Sequence, residues 1–338
     1  PEKRLSTAYE GLHAFREASA DAIVGLGGGS SLDVATVIAV LAGDDRDPGA
    51  VGRELAETGS ITVPEGSLPP ILAVPTTLPG AELSGGAGVT ASPDAGLVDR
   101  PASGGVSDPR LMPAAVTYDP ALVATTPPGI LRGSAMNGFD KGVETLYARN
   151  ATPVTDATAT RGLGLLVESL PALGEVPASG EDRIGEEVLA PILKGIMLVQ
   201  YGVSRPGETT LSIVHAFGHG LTRTYGVQQG AAHGIVAPHV LAYLFERVPG
   251  RRDLLAEALG VGEDETDPDE TAAAVVDAVA GVRDALDLPT RLRDVDGPEP
   301  VEFPAVAAEV LDDPFMRNAP RSLDPTAGEI EGVLREAY

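Results

Sequence analysis

The sequence predicts two domains of different class, an α/β domain over residues 1–125 and an all-helical domain over residues 126–338. In the first part, short apolar runs that end in Gly or Pro alternate with segments of helical periodicity, a pattern typical of a mostly parallel sheet. From residue 126 onward, apolar residues recur at helical spacing nearly everywhere. A chain of 338 residues is long enough for two such domains.

The strands and helices of the first domain follow from local patterns. Amphipathic spacing predicts a helix, an apolar run before a turn predicts a strand, and Gly43 ends the second helix. The predicted elements are helix 7–19, buried strand 21–30, helix 31–43, strand 69–77 and strand 114–122. Residues 91–108 are rich in Gly, Pro and polar side chains and are predicted to form a loop.

The second domain is predicted to be a series of amphipathic helices joined by acidic loops. The clearest helical segments are 135–149, 156–170, 186–202 and 269–286. The segments 175–182 and 263–269 are acidic and interrupted by Gly or Pro, so they are predicted to connect helices.

The composition excludes several classes of protein. With no cysteine, the chain has neither a disulfide framework nor a thiolate metal site. No apolar run approaches the roughly 20 residues of a membrane span. The polar N-terminal segment is unlike a signal peptide, so we expect a cytoplasmic protein that does not bind membranes.

The charge of the chain is strongly negative. Asp and Glu number 49 against 24 Lys and Arg, for a net charge of −25, and the only lysines are Lys3, Lys141 and Lys194. The acids are spread along the chain rather than gathered in a tail. This pattern is typical of a protein kept in solution at high salt and predicts a halophilic archaeal source. Nucleic acid is excluded as a partner because phosphate binding needs a basic patch.

The run GGGSS at residues 27–31 joins the end of the first predicted strand to the start of the following helix. Free N–H groups at the start of a helix and close backbone approach suit a phosphate, which indicates Gly28, Gly29 and Ser30 as contacts. A tight turn without a ligand is the alternative. Thr76 and Thr77 follow the second strand and place hydroxyls at the same edge of the sheet, where open α/β sheets bind ligands.

Two histidines lie one helical turn apart in LSIVHAFGHG. His215 and His219 therefore share a helix face, as a metal ligand and a catalytic base do, although buried structural histidines are the alternative. The role of His233 stays open. His239 is predicted to be structural near a helix start, and His13 to lie on the surface.

A third helix presents two i, i+4 pairs. Asn137 and Lys141 share one face, and Lys141 is a candidate for binding an anion or oxyanion. Asp140 and Glu144 share another face, for which we prefer a solvated surface over a site. Arg132 and Lys141 are the cations nearest in sequence for a substrate carboxylate.

Seven ordered motifs resemble the iron-containing alcohol dehydrogenase superfamily and are most similar to its maleylacetate reductase branch. They are GLGGGSSLDVA, PTTLPGAELS, SDPRLMPAAVTYDPALVATTP, AMNGFDKGVETLYARNATPVTDA, VHAFGHG, HGIVAPHV and the C-terminal NAP at 318–320. The resemblance spans essentially the whole chain. It implies a Rossmann-like, dehydroquinate synthase-like dinucleotide domain before a helical domain, with an active site in the cleft between them.

The resemblance also implies a cofactor, NAD or NADP, and roles for individual residues. It assigns pyrophosphate contacts to the glycine turn, nicotinamide contacts to the threonines and Ser84, and a ribose or adenine wall to Leu122. The implied cofactor residues together are Gly28, Gly29, Ser30, Asp33, Thr76, Thr77, Ser84 and Leu122. We predict His219, His215 and Lys141 to be the catalytic residues, acting on a small-molecule carbonyl substrate in what we expect to be a homodimer.

The metal positions of the family depart from its pattern here. They correspond to Asn137, Lys141, His215 and Gln229, and Lys has no acceptor for a cation while it is protonated. We therefore predict an NAD(P)-dependent reductase of an oxo acid that works without a metal. One alternative is an iron- or zinc-dependent alcohol or polyol dehydrogenase that uses Asp140, Glu144, His215 and His233. Another is a non-catalytic nucleotide-binding relative.

The family begins with a strand–helix–strand unit that precedes the segment resembling residues 1–20. That unit contains the residues that distinguish the ribose 2′ position, so we expect a first domain without it and the sequence does not choose between NAD and NADP.

Overall fold

In the computed structural model, residues 3–177, 184–205, 208–262 and 267–338 are described. The chain divides into two compact units. Unit 1 comprises Pro1–Val123 with Ser204–Glu208, and unit 2 comprises Ala124–Val203 with Thr209–Tyr338. The combination of a parallel α/β unit and a helical unit confirms the predicted fold class.

Unit 1 contains a small parallel sheet and an antiparallel hairpin. Its elements are α1 (Leu5–Glu17), β1 (Ile23–Gly27), α2 (Gly29–Ala42), α3 (Pro48–Thr58), β2 (Ile71–Pro75), β3 (Gly86–Ala91), β4 (Ala102–Ser107), β5 (Ala115–Val116) and α4 (Pro120–Val123). The sheet order is β1-β2-β5, with all pairs parallel, and Ile23 is paired with Ile71. Helix α2 packs on the face that carries these two isoleucines.

The predicted burial of the first strand is wrong for alternate residues. Val24 is 65% exposed and Leu26 57% exposed. Side chains alternate between the two faces of a strand, and α2 covers the face that carries Ile23. The apolar run therefore identified a strand correctly but not which of its faces is covered.

Two other predictions for unit 1 are wrong in part. The predicted loop at 91–108 contains strand β4, which pairs antiparallel with β3 from Ala91–Ala102 to Gly86–Ser107. Its sequence, ASGGVS, has the glycines that usually weaken a strand, so propensity gave no signal. The predicted strand 114–122 shrinks to β5, because Asp119 and Pro120 begin the short helix α4.

Unit 2 contains nine described helices. They are α5 (Pro128–Tyr147), α6 (Pro153–Gly174), α7 (Glu186–Val203), α8 (Ile213–Tyr225), α9 (Gln229–Arg247), α10 (Arg252–Leu259), α11 (Pro268–Ala285), α12 (Phe303–Asp312) and α13 (Ala327–Glu336). Between α7 and α8 the chain forms two short strands, β6 (Ser204–Arg205) and β7 (Glu208–Thr209), most of which belong to unit 1. The predicted loops 175–182 and 263–269 lie largely outside the described residues.

Helix α5 is the centre of unit 2, with 17 of its 20 residues buried. It packs against α6, α7 and α9. Its neighbour α6 begins with a capping box in which the Thr152 hydroxyl and the Thr155 side chain each bond the other's backbone N–H, followed by proline at the first helical position. A helix buried all round can place several polar side chains in one dry environment.

Helix α9 corrects the prediction for His239. The residue lies in the middle of this helix, directly after the internal Pro238, and is half-buried rather than near a helix start. His13 is exposed in α1, as predicted. Within the described residues, no helix combines the length and apolarity that crossing a bilayer requires.

Candidate functional site

The glycine turn of unit 1 joins β1 to α2. Gly27 has φ +138°, a backbone conformation that favours glycine, and α2 begins at Gly29 with no side chain capping its first turn. A Cβ on Gly28 would lie 3.2 Å from the Thr77 side chain. The Thr76 N–H donates to the Gly27 carbonyl at 2.9 Å. The structure therefore brings the predicted glycines and threonines to one edge of the sheet.

A cavity of about 430 Å³ lies beside the start of α2. It is lined by Ser30, Asp33, Lys3 and Thr90, and Lys3 Nζ is 3.4 Å from Asp33 Oδ2. Two of the predicted cofactor residues, Ser30 and Asp33, thus share a cavity that also holds one of the three lysines.

The other predicted cofactor residues have local structural roles. Ser84 Oγ accepts from the Gly86 N–H at 3.2 Å, at the start of β3. Leu122 is half-buried in α4. The glutamate of the PTTLPGAELS motif, Glu82, is buried and accepts a 2.7 Å hydrogen bond from the Tyr118 hydroxyl. Burial, followed by the charge of Glu82, raises the pKa of Tyr118, so this hydroxyl stays protonated and donates.

Unit 2 holds a fully buried cluster of two carboxylates and two histidines. Helix α5 supplies Asp140 and Glu144, α8 supplies His215, and α9 supplies His233. Each side chain is at most 2% exposed. The preferred interpretation of the two acids as a solvated face is therefore wrong, because α5 has no solvated face at these positions.

Glu144 fixes the orientation of His215. Its Oε2 lies 2.6 Å from His215 Nδ1, and its Oε1 accepts from the His215 backbone N–H at 3.0 Å and from the Tyr147 hydroxyl at 3.2 Å. A carboxylate bonded to Nδ1 places the proton there and leaves the Nε2 lone pair free. His215 Nε2 has no hydrogen-bond partner among the described residues.

Asp140 lies between the two imidazoles. Its Oδ2 is 3.3 Å from His215 Nδ1 and 3.3 Å from His233 Nδ1, and the two rings are 4.3 Å apart. Neither Asp140 oxygen nor either nitrogen of His233 makes a hydrogen bond within the part of the chain that the structure describes. Buried polar groups in folded proteins are nearly always bonded, so this cluster is an exception that needs a physical explanation.

Burial sets the protonation of the cluster. It lowers the pKa of both His215 and His233, and neighbouring positive charges lower them further. Burial, with the adjacent charge of Glu144, raises the pKa of Asp140, and burial raises that of Glu144. Both imidazoles are therefore neutral at neutral pH, the form in which a nitrogen can ligate a cation.

His219 pairs with a carboxylate that sequence analysis missed. Its Nδ1 is 2.7 Å from Oδ2 of the buried Asp313, while Arg223 Nη2 lies 3.4 Å from the same oxygen. The ring is 25% exposed and packs on Phe315 at 5.1 Å. Asp313 also accepts from the Phe315 N–H as the N-cap of a short 3₁₀ turn, so the Asp-Pro-Phe sequence was the available signal.

The charge state of Asp313 is set by opposing influences. Burial disfavours the carboxylate, but the bond to His219, the Phe315 N–H and the positive charge of Arg223 outweigh it and hold the pKa of Asp313 below its ordinary value. The Arg223 guanidinium also lies 3.1 Å from His219 Nδ1. The arrangement of His219 and an ionised Asp313 resembles a catalytic base with its orienting acid.

The predicted family metal positions do not form a ligand set. Asn137 is buried, Lys141 donates to Gln200 Oε1 at 3.5 Å, and Gln229 is the first residue of α9. Arg132 is unavailable for a substrate because its buried guanidinium donates to the Gly174 and Val176 carbonyls and pairs with Asp287, which corrects that prediction.

The NAP motif at residues 318–320 is hydrogen-bonded to the segment that precedes α8. Asn318 Nδ2 donates to the Thr209 and Leu211 carbonyls, and the Asn318 carbonyl accepts from the Arg149 N–H. These bonds hold the segment that leads to His215.

Comparison with known proteins agrees with this architecture. Residues 1–120 match the model of the iron-containing alcohol dehydrogenase family, and residues 133–338 match that of the Fe-containing alcohol dehydrogenase family, C-terminal. An NAD-dependent methanol dehydrogenase of Bacillus methanolicus is 30% identical over 77% of this chain and 63% of its own length, so the match spans less than two thirds of that relative.

Two further relatives cover nearly all of the chain. The maleylacetate reductase of Pseudomonas knackmussii is 29% identical over 98% of this chain and 78% of its own. The crystal structure of a 1,3-propanediol oxidoreductase superimposes with a TM-score of 0.84 at 24% identity, over 99% of this chain and 81% of that one. The chain belongs to the iron-containing alcohol dehydrogenase family, whose members are NAD(P)-dependent alcohol and aldehyde oxidoreductases.

Proposed function

We propose that this protein reduces a small oxo acid, of the maleylacetate class, with NADH or NADPH as the hydride donor. The observation that best supports an enzyme over a binding protein is the His219–Asp313 pair, which has the geometry of a proton relay. The similarity to maleylacetate reductases supports the substrate class.

The cofactor is proposed to bind at the glycine turn of unit 1. The free N–H groups at the start of α2 suit a pyrophosphate, and Gly28 and Thr77 permit close approach. When bound, the reduced nicotinamide supplies a hydride to the carbonyl carbon or to a carbon conjugated with it.

His219 is proposed to supply the proton. With Asp313 holding Nδ1, protonated His219 presents Nε2–H to the oxygen or carbon that receives the proton, and neutral His219 accepts one in the reverse direction. The negative Asp313 holds the ring in one orientation through its 2.7 Å contact with Nδ1.

Lys141 is proposed to hold a negative oxygen of the substrate. It is half-buried on α5, and its charge is felt by Asp140, His215 and His233. Its ammonium lies 3.5 Å from the neutral Gln200 oxygen and carries the positive charge that a substrate carboxylate or oxyanion requires.

A substrate screen tests this function. The full chain is assayed with oxo acids, aldehydes and alcohols, with each of NADH and NADPH or their oxidised forms, in dilute buffer and in molar salt. Turnover of oxo acids above all others supports the proposal. Turnover of alcohols alone favours the alcohol or polyol dehydrogenase, and cofactor binding with no turnover favours a non-catalytic relative.

The acidic composition supports a second proposal, that the protein works in concentrated salt. In a chain with a net charge of −25, the acidic side chains repel one another. Salt screens this repulsion, because the Debye length falls from roughly 10 Å at 0.1 M to about 3 Å at 1 M.

A further inference from the structure

We propose that Glu82 and Tyr118 are positioning residues for the nicotinamide cofactor, which hold residues 76–83 against the glycine turn of unit 1. They act through the backbone of this segment rather than by contact with the cofactor. This role rests on the proposed binding of NADH or NADPH at the glycine turn. It gives a function to a buried acid that the proposed reaction does not otherwise use.

Residues 76–83 follow β2 and lie directly beside the glycine turn. A Cβ added to Gly28 would lie 3.2 Å from the Thr77 side chain, and one added to Gly29 would lie 3.4 Å from the Ala81 Cβ. The segment therefore approaches both glycines that are proposed to contact the pyrophosphate. A shift of this segment would change the shape of the proposed phosphate site.

Glu82 lies near the end of the segment, in the short 3₁₀ turn Ala81–Leu83, and is only 1% exposed. Charged side chains are almost never fully buried unless they are paired. Glu82 Oε1 accepts a 2.7 Å hydrogen bond from the Tyr118 hydroxyl. This carboxylate therefore joins residues 76–83 to a part of the chain 36 residues later.

Tyr118 belongs to the segment that follows the neighbouring strand. It comes directly after β5, which is parallel to β2, and the Thr117 N–H donates to the Ala73 carbonyl at 2.9 Å. The Tyr118–Glu82 bond therefore links the connections that follow two adjacent parallel strands. Burial, followed by the charge of Glu82, raises the pKa of the Tyr118 hydroxyl, so it remains a donor at neutral and alkaline pH.

This bond restrains a connection rather than a strand. The strand ends are held by the sheet, whereas a connecting segment needs its own contacts to keep one conformation. If residues 76–83 were free to move, cofactor binding would have to order them, and that ordering would weaken the affinity. We therefore expect loss of the bond to weaken cofactor binding.

Cofactor binding by the full chain tests this role without a substrate. The chain is titrated with NADH and with NADPH, and the Kd is measured from the fluorescence of the bound nicotinamide. Tyr118→Phe removes only the hydroxyl and should raise the Kd about tenfold, since a buried acceptor loses its donor. Glu82→Leu should raise it as much, because the Tyr118 hydroxyl then loses its acceptor.

Glu82→Gln is the rescue variant, because its amide oxygen can still accept from Tyr118. It should bind the cofactor more tightly than Glu82→Leu does and nearly as well as the unaltered chain. Tyr338→Phe is the matched control, since it removes a 2.9 Å bond to Glu299 in unit 2 and should leave the Kd unchanged. Circular dichroism and the Tm without cofactor show whether each variant folds, and Tyr118→Phe serves if Glu82→Leu does not.

The outcomes separate this role from the proposed function. If the unaltered chain binds neither NADH nor NADPH, the proposed function is wrong, and the positioning role is wrong with it. If the unaltered chain binds a cofactor and Tyr118→Phe binds it equally well, only the positioning role is overturned, even where the Tm falls. Equal losses of affinity in Glu82→Gln and Glu82→Leu overturn it as well, because the hydrogen bond would then not be what matters.

Discussion

The imidazole of His233 occupies the space that a side chain at position 218 would need. A Cβ on Gly218 would overlap both Nε2 and Cδ2 of His233, so α8 can approach the ring only because residue 218 is glycine. The glycine of the VHAFGHG motif therefore makes room for a histidine 15 residues later.

Gly218→Ala is expected to destabilise unit 2 by about 1–3 kcal/mol, since inserting a methyl group into a packed core forces a shift. The same change should displace the His233 ring from its position 4.3 Å from the His215 ring. Gly281→Ala is the control, because this exposed helical glycine has nothing within 4 Å of a new Cβ. It should stabilise by up to about 1 kcal/mol. Urea unfolding of both variants measures the two changes in unfolding free energy. Equal changes would contradict the steric overlap between residue 218 and His233.

Asp313→Asn is expected to lower kcat/KM for carbonyl reduction by about two orders of magnitude, within the range for positioned acid–base groups. The neutral amide no longer holds the His219 ring with a charged oxygen, so the loss should fall on kcat, while the Kd of the cofactor and the Tm stay unchanged. Asp312→Asn, an exposed neighbour, should leave kcat unchanged. A matching fall in Tm would indicate a structural role instead.

Lys141→Ala is expected to lower kcat/KM by one to a few decades, about 2–4 kcal/mol, as when one oxyanion donor is removed. The loss should be larger for substrates with two carboxylates than for a neutral aldehyde. Lys194→Ala, an exposed lysine on α7, is the matched control. Unchanged kinetics in Lys141→Ala would show that its charge is not used.

Much of the architecture was predictable because it rests on periodicity. The parallel strands, the glycine turn and most helices follow from apolar spacing and from residues that end elements. Strand β4 was not predicted, because its residues have low strand propensity and its extended conformation depends on pairing with β3.

The candidate site was predictable only in part. His215 and His219 lie four residues apart on one helix, so their shared face could be predicted from their spacing. Their acidic partners, Glu144 and Asp313, are 71 and 94 residues away in sequence, and only packing brings them together. The acids of α5 were predicted to be solvated because charged residues usually are, and no local pattern indicates that this helix is enclosed on all sides.

The melting temperature is expected to rise steeply from dilute buffer to molar KCl, because screening relieves repulsion among 49 acidic side chains. A series with sucrose at matched osmolality separates charge screening from a general effect of solutes. A melting temperature that is flat in salt would contradict adaptation to brine.

The ion pair of Asp108 with Arg110 is expected to stabilise the folded protein while Asp108 is ionised and to lose this effect in acid. The Arg110 guanidinium and N–H lower its pKa from 3.8 to about 2. A depressed folded-state pKa gives stability that is present above pH 3.8 and is lost as the pH falls toward 2. Asp108→Asn should therefore flatten the fall in unfolding free energy across this window, and Arg110→Gln should do the same. A fall as steep as in the unaltered chain would show that the pair adds nothing.

The enclosure of α5 has a consequence for hydrogen exchange. Amides in the middle of a helix that is covered on every side exchange only when the surrounding structure opens as a whole. Residues 131–147 are therefore expected to be among the slowest to take up deuterium, so side chains presented by this helix keep their arrangement until unit 2 itself unfolds. Anything held there would leave on the timescale of that global opening rather than by fraying of a single element.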